Sequence, residues 1–143
     1  MFAGYWPDPE AIERAFADGW LLTGDVAEQD EQGDYRIVDR IKDMFVSGGE
    51  SVYPAEVEGA LAEHGAVADA AVVGVADGRW GEVGVAFVVP ARDARPSEAE
   101  LLAHMRAALA GFKVPRSVRL VDELPRSAVG KVLKDELRRR AQS

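Results

Sequence analysis

The chain has 143 residues, of which 48% are hydrophobic and 29% are charged, a balance typical of one globular domain with room for an appended segment. It contains no cysteine, which excludes a disulfide framework and a thiolate metal site. No apolar run approaches the roughly 20 residues that span a bilayer, and the N-terminus lacks a basic-then-apolar signal pattern, so we expect a cytoplasmic protein without a transmembrane segment.

The net charge of −8 is concentrated near the start of the chain. Residues 1–34 carry nine acidic side chains and one basic side chain, whereas residues 35–143 carry sixteen of each sign. A step of this kind indicates a join between two pieces that have different surroundings. The acidic balance also argues against a nucleic-acid partner, because that binding requires Lys and Arg to neutralise phosphates.

The first predicted elements are few and short. Pro9 predicts the first turn of a helix that has Phe16 on its apolar stripe and ends at Gly19. Strand-like residues follow at 20–22 and 35–38, with turn-rich acidic residues between them. These elements are too few to bury a core by themselves.

The pattern after residue 53 alternates helices with strands. Pro54 opens one helix and Ser97 caps a second, while Lys131 to Arg140 is predicted as a third, with Val132, Leu133 and Leu137 facing inward. Apolar, β-branched runs predict strands at 70–75, 83–89 and 118–121. The alternation predicts an α+β fold in which a small sheet is covered by helices.

Two side chains near the start have the chemistry to bind a nucleotide. Asp25 follows Thr23 and Gly24 in a tight loop, where its carboxylate would accept two hydrogen bonds from a sugar diol. Arg40 follows a predicted strand, and its guanidinium offers a rigid fork of donors to phosphates and hydroxyls. Taken singly, Asp25 also fits an ordinary turn aspartate, and Arg40 also fits a solvated surface charge.

Two further features lie later in the chain. Gly48 and Gly49 separate apolar strand residues, which indicates either a hairpin turn or a loop that a substrate approaches closely. Lys131 follows Gly130 in a predicted exposed loop, where its ammonium group either meets an anion or is simply solvated. The two histidines are far apart, and neither a nucleophile-elbow serine nor a Walker-type phosphate loop occurs, so a self-contained hydrolase or kinase is not expected.

Taken together and in order, these features resemble the adenylate-forming superfamily, especially its acyl-CoA synthetases. The segments that carry the resemblance are 4–6, 9–11, 18–20, 23–25, 39–58, 80–82, 112–115 and 124–131. The resemblance therefore covers essentially the whole chain. It implies activation of a carboxylic acid, of fatty or aryl type, with ATP and Mg²⁺ to an acyl-adenylate, followed by transfer of the acyl group to CoA.

The resemblance also implies a domain organisation. Residues 1–38 look like the incomplete end of a large N-terminal AMP-binding domain, and residues 39–143 like the whole mobile C-terminal domain, with a hinge near 39–42. The partners implied are the missing N-terminal domain, the carboxylic acid, ATP and CoA. We expect the isolated chain to be inactive, because the phosphate loop and the acyl pocket have no counterpart in it. Met1 is either a native start or a truncation, and the opening of the chain inside a motif favours truncation.

Carried over by motif, three residues serve the first half-reaction and a fourth marks the hinge. Asp25 resembles the aspartate that binds the ATP ribose hydroxyls, and Arg40 the arginine that supports the ribose and phosphate region. Lys42 falls at the hinge position. Lys131 matches the catalytic lysine that contacts the substrate carboxylate and α-phosphate. The resemblance assigns no metal ligand to this chain and places most of the ATP and Mg²⁺ contacts in the missing domain.

Five residues are carried over to the second half-reaction. Gly48 and Gly49 match the loop that approaches the pantetheine channel. Trp80, Phe112 and Arg116 resemble positions near the CoA-binding face, where aromatic rings stack on adenine and a cation pairs with phosphate. The match is looser there, because Val114 stands where some relatives carry a basic residue, and core or rim packing is the alternative for both aromatic rings.

Two other functions fit the same motifs. One is an adenylation module that loads a carrier protein instead of free CoA, against which the absence of a following carrier domain speaks mildly. The other is a non-catalytic partner-binding domain of the same fold. A purely structural role needs none of Asp25, Arg40, Gly49 and Lys131, so their joint presence favours the ligase.

Overall fold

The computed structural model describes residues 15–142, and its first elements are two small antiparallel hairpins. Strand β1 (Phe16–Ala17) pairs with β2 (Trp20–Leu21), and β3 (Asp25–Gln29) pairs with β4 (Tyr35–Arg40). Strand β3 has no counterpart among the predicted strands, because its sequence lacks the apolar alternation of a half-buried strand.

The end of the first predicted helix is wrong where the structure describes it. Phe16 lies in a strand, and Asp18 and Gly19 have φ values of 49° and 82°, which make the two-residue turn between β1 and β2. An Asp-Gly pair tolerates this left-handed backbone well, so it closes a hairpin here instead of ending a helix. The rest of the predicted helix, from Pro9 to residue 14, lies outside the described residues.

The remaining elements form one α+β unit. Its strands are β5 (Phe45–Ser47), β6 (Glu50–Val52), β7 (Val67–Asp77), β8 (Gly81–Pro90) and β9 (Ser117–Leu120). Its helices are α1 (Pro54–Ala62), α2 (Glu98–Ala108) and α3 (Lys134–Gln142), with a short 3₁₀ helix at Gly111–Lys113. Within residues 15–142, no helix has the length and apolar character needed to cross a membrane.

The sheet is built around the long β7–β8 hairpin. Strand β8 pairs antiparallel with β7 along nearly its whole length and parallel with β9, and it meets β5 at the Ser47–Gly81 pair. Strand β6 extends the sheet beyond β5, to which it is joined by a two-residue turn at Gly48 and Gly49. The β7–β8 turn and the β5–β6 turn therefore lie side by side at one end of the sheet.

Both faces of the sheet are covered by helices, which confirms the predicted fold class. One core joins α1 and α2 to the face that carries Val72, Ala86 and Val88. A second core places Leu137 of α3 against Val73, on the opposite face. Burial on both faces explains why β7 and β8 are continuous apolar runs instead of alternating ones.

The third predicted helix begins later than expected. Val132 forms an isolated antiparallel bridge with Arg126, Gly130 has a φ of 81°, and α3 starts only at Lys134. Lys131 therefore lies in a tight turn that precedes the helix. Leu133 is 40% exposed, so its predicted inward orientation is wrong, whereas Leu137 is fully buried as predicted.

Candidate functional site

The β3–β4 hairpin brings Asp25 and Arg40 together. The two residues are opposite each other in the strand register, and Arg40 Nε lies 2.9 Å from Asp25 Oδ1. The preceding loop is closed by hydrogen bonds from Asp25 N–H to Thr23 Oγ1 and from Ile41 N–H to the Gly24 carbonyl. About half of the Arg40 side chain remains exposed, so the pair presents carboxylate oxygen and guanidinium donors at one surface.

Four of the five residues expected to face CoA line a single groove of about 390 Å³. This groove, called the Trp80 groove below, is lined by Gly48, Trp80, Val83, Phe112, Val114 and Arg116, among others. Gly49 follows in the same turn and is not among the lining residues. Trp80 and Phe112 are 47% and 40% exposed, so the core-packing alternative does not describe these two rings.

Separate elements position the walls of the Trp80 groove. The Trp80 carbonyl accepts a hydrogen bond of 2.8 Å from Gly48 N–H, and the Glu82 carboxylate accepts one from Val46 N–H, so the β7–β8 turn holds the β5–β6 hairpin. On the other wall, Lys113 Nζ lies 2.6 Å and 2.8 Å from the two carboxylate oxygens of Glu56 in α1. That ion pair ties the 3₁₀ helix that carries Phe112 to the rest of the domain.

Glycine is required at positions 48 and 49 of the β5–β6 turn for reasons that differ in part. Both have positive φ, 61° at Gly48 and 90° at Gly49, which a two-residue hairpin turn requires. A Cβ atom on Gly48 would lie 3.0 Å from the Trp80 ring, whereas one on Gly49 would meet no atom within 4 Å. The turn is thus a hairpin, as one alternative predicted, and only Gly49 is left with open space for a substrate.

Lys131 is presented by a turn that is anchored at several points. Ser127 donates its N–H to the Lys131 carbonyl, and the Ser127 hydroxyl accepts from Lys131 N–H. Arg126 spans the turn, because Nη1 donates to the Gly130 carbonyl and Nη2 lies 2.5 Å from Asp69 Oδ2 in β7. Within the described part of the chain, no carboxylate or carbonyl binds the exposed Lys131 ammonium group.

A second groove contains Lys131 together with the hinge candidate Lys42. This Lys131 groove is lined by Lys42, Asp43, Lys131, Lys134, Asp135 and Arg138, among others, and it shares no lining residue with the Trp80 groove. The two are anchored at different points of β7, since the Lys131 turn binds Asp69 and Arg116 binds Asp77. Eight residues separate these aspartates, which is about 26 Å at the usual rise of a strand.

Sequence reasoning missed Asp77. Its Oδ1 accepts hydrogen bonds from the N–H groups of Arg79 and Trp80, at 2.9 Å and 3.0 Å, and its Oδ2 binds Arg116. The backbone donors of Arg79 and then Trp80, with the charge of Arg116 added, hold the pKa of this carboxyl below its ordinary value of 3.8 against the opposing effect of burial. The Asp-Gly pair at 77–78 was the available signal, because aspartate commonly bonds the backbone two residues ahead in a turn.

The fold is that of the small α+β domain of adenylate-forming enzymes. Comparison with known proteins agrees: the chain belongs to the family described as AMP-binding enzyme C-terminal domain, whose model matches residues 56–131. The resemblance drawn from the motifs is therefore confirmed at the level of the family.

Curated relatives match along nearly the whole chain. Feruloyl-CoA synthase of Amycolatopsis sp is 54% identical over 140 residues, which cover 98% of this chain and 28% of that protein. Long-chain-fatty-acid–CoA ligase of Yersinia pestis is 50% identical over 138 residues, which cover 96% of this chain and 24% of that protein. The chain thus spans about a quarter of the length of these relatives.

Solved structures extend the comparison to the arrangement of the elements. ATP-bound MatB from Rhodopseudomonas palustris matches with a TM-score of 0.91 at 39% identity, over the whole of this chain and 29% of that one. Apo MatB from the same organism matches with a TM-score of 0.75 at 40% identity over 99% of this chain and 28% of that one. The elements of this chain are therefore arranged more as in the ATP-bound relative than as in the apo relative.

Proposed function

We propose that this chain is the mobile C-terminal part of an ATP-dependent acid–thiol ligase, which forms an acyl-adenylate and then transfers the acyl group to CoA. The observation that carries the proposal is the presence of two separate grooves on one small domain, one of which contains Lys131 and the other Gly48, Trp80, Phe112 and Arg116. The acid is proposed to be of fatty or aryl type. The names of the relatives include both kinds, and the pocket that would select the acid belongs to the large domain.

In the proposed adenylation step, Asp25 and Arg40 hold the ribose and phosphate side of ATP while Lys131 brings its charge to the reacting carboxylate and α-phosphate. A fixed cation aimed at developing negative charge lowers the barrier because it needs no reorganisation during the reaction. Mg²⁺ and most of the ATP contacts are assigned to the large domain, as the resemblance to acyl-CoA synthetases implies.

In the proposed transfer step, the Trp80 groove receives CoA. Its two exposed aromatic rings offer stacking surfaces for adenine, and the Arg116 guanidinium offers donors to phosphate. Gly49 is proposed to border the path of the pantetheine arm, which the open space next to it supports. The groove supports free CoA over a carrier protein as the acceptor, because a carrier presents phosphopantetheine without the adenine nucleotide.

Alternation between the two grooves requires a domain rotation, which we place at residues 39–42, between a large-domain remnant at 1–38 and a small domain at 39–143. Lys42 is exposed, whereas Asp43 lies 3.5 Å from Arg138 of α3 and so belongs to the small domain. The two TM-scores for MatB support such a rotation, since one relative matches this chain differently in its two forms.

The test is a hybrid ligase, in which this chain replaces the matching C-terminal segment of Amycolatopsis feruloyl-CoA synthase. We expect Lys131→Ala to slow acid-dependent ATP–pyrophosphate exchange by about 100-fold or more, with little effect on CoA transfer from supplied acyl-adenylate. Arg92→Ala is the control, because it removes an exposed cation that lines neither groove. Equal loss in both half-reactions would contradict the role given to Lys131.

A second experiment uses the 143-residue chain alone. We expect no acid-dependent ATP–pyrophosphate exchange, because the phosphate loop and the acyl pocket are proposed to lie outside it. Exchange by the purified chain would contradict the proposal that these parts lie in the large domain.

The hybrid ligase also tests the two alternative functions. Its activity with CoA, compared with its activity with a phosphopantetheine-loaded carrier protein, distinguishes the ligase from the carrier-loading alternative. A hybrid that is folded but inactive in both half-reactions would favour a non-catalytic domain.

A further inference from the structure

Asp77 lies behind the Trp80 groove and contacts two of its walls. Only 13% of its side chain is exposed, and it is not among the residues that line the groove. One carboxylate oxygen accepts the N–H groups of Arg79 and Trp80, and the other binds Nη1 of Arg116. A single, largely covered carboxylate therefore joins the β7–β8 turn to the segment that leads into β9.

The first pair of bonds determines where Trp80 stands. Because Asp77 holds the turn at Arg79 and Trp80, the Trp80 carbonyl is directed at Gly48 N–H and the Trp80 ring packs within 3.0 Å of the position that a Gly48 Cβ would occupy. The Arg79 guanidinium also lies 4.9 Å from the centre of the Trp80 ring. The ring is thus held as one wall of the groove.

The second bond determines where Arg116 points. Its side chain is 64% exposed, and a long exposed arginine samples many rotamers unless something holds it. Asp77 binds one terminal nitrogen of a guanidinium that carries five N–H donors in a fixed plane. The remaining donors are left available on a side chain whose direction is set.

We propose that Asp77 is a positioning residue for the acceptor step, which orients Arg116 to receive a phosphate of CoA and fixes Trp80 to stack on the adenine. The inference rests on the proposed function of the Trp80 groove. Asp77 itself touches neither CoA nor the reacting atoms. Its contribution is that the cation and the ring are already in place when CoA arrives, so less conformational entropy is lost on binding.

The decisive comparison in the hybrid ligase is between two acceptors. Asp77→Asn keeps an oxygen for the Arg79 and Trp80 N–H groups but removes the charge that holds Arg116. We expect it to raise the KM for CoA about tenfold, the effect of one charge-assisted hydrogen bond. The KM for pantetheine, which has no phosphate or adenine, should not change, and neither should ATP–pyrophosphate exchange.

The control is Asp93→Asn, the same chemical change at an exposed aspartate near the opposite end of β8, which should alter neither KM. An equal rise in KM for CoA and pantetheine would show that Asp77 only maintains the fold, and no rise for either would overturn the proposal. The proposed function of the groove is tested separately with Trp80→Ala. If this variant of the hybrid transfers acyl groups to CoA as well as the wild-type hybrid does, the groove does not bind CoA, and this failure is distinct from a failure of the role given to Asp77.

A measurement that does not depend on catalysis uses the ¹⁵N-labelled chain alone. The Nε–H order parameter of Arg116 should fall in Asp77→Asn and stay at the wild-type value in Asp93→Asn, because only the first change releases the guanidinium. An unchanged order parameter in Asp77→Asn would show that Arg116 is not held by this carboxylate, and would overturn the proposal whether or not the hybrid is active.

Discussion

Gly74 is the position where the structure predicts the largest effect of adding a single methyl group. It lies in β7 opposite Gly84 of β8, and the space that the two glycines leave is filled by Phe45, which is 3% exposed. A Cβ atom on Gly74 would lie 2.4 Å from Phe45 Cβ and 2.5 Å from Phe45 Cγ. Carbon atoms pack at about 3.5 Å or more, so Gly74→Ala requires a shift of about 1 Å.

The magnitude follows from which atoms collide. The Cβ of Phe45 is attached to the β5 backbone, so no rotation of the ring relieves the contact, and either β5 or β7 must move. Strand β7 is paired with β8 along nearly its whole length and is buried on both faces. Overpacking of this kind costs about 1–3 kcal/mol, and because the backbone itself must shift we expect Gly74→Ala to lose about 2–3 kcal/mol of unfolding free energy.

The assay is urea unfolding of the 143-residue chain followed by circular dichroism. Gly59→Ala is the matched control, since Gly59 is exposed in α1 with no atom within 4 Å of the added methyl, and it should gain about 0.5–1 kcal/mol. Gly84→Ala should fall between them, because its Cβ would lie 3.1 Å from the tip of the Phe45 ring. A neutral or stabilising Gly74→Ala would refute the reasoning.

Three further predictions use the same unfolding assay. Asp39 accepts a hydrogen bond of 2.9 Å from Ala55 N–H and caps the first turn of α1, which the Tyr53 side chain does not. Asp39→Ala should therefore lower the free energy of unfolding by about 0.5–2 kcal/mol, and Asp39→Asn should lower it less. Equal losses in the two variants would contradict a capping role. Ser97→Ala should lose about 1 kcal/mol, because Ser97 Oγ accepts the Glu100 N–H of α2, and Ser97→Asp should restore most of it. The pKa of Asp77 is lower in the folded than in the unfolded chain. Its ionised carboxylate therefore stabilises the fold fully at pH values above 3.8, and this stabilisation is lost as the pH falls through the folded-state pKa. The difference between wild type and Asp77→Asn should therefore shrink below pH 3.8, and a difference that does not vary with pH would exclude this linkage.

The local features of the domain could be predicted from the sequence because neighbouring residues determine them. The runs that became β7 and β8 are strongly apolar and β-branched, Ser97 caps α2 as its side-chain oxygen suggested, and Gly48 with Gly49 has the backbone freedom that a two-residue turn needs. The order of the short motifs was also sufficient to indicate the family that the comparisons confirm.

The predictions that failed concern two turns, each closed by residues that are close together in sequence. Lys131 was predicted to begin a helix, yet the Arg126–Val132 bridge and the bonds of Ser127 hold it in a turn. Phe16 was placed on a helix, although Asp18 and Gly19 close a hairpin there. In each case a hydrogen-bonded turn overrode a weak local propensity.

The sequence by itself determined the apolar strands β7, β8 and β9, the cap at Ser97, the glycine turn and the kind of residue available at each candidate site. The tertiary structure alone decided which of those residues meet. It paired Asp25 with Arg40 through strand register, gathered Gly48, Trp80, Phe112 and Arg116 into one groove, and kept Lys131 in another. Spacing along a chain specifies local backbone geometry, whereas a groove is made by segments that only sheet pairing and core packing bring together.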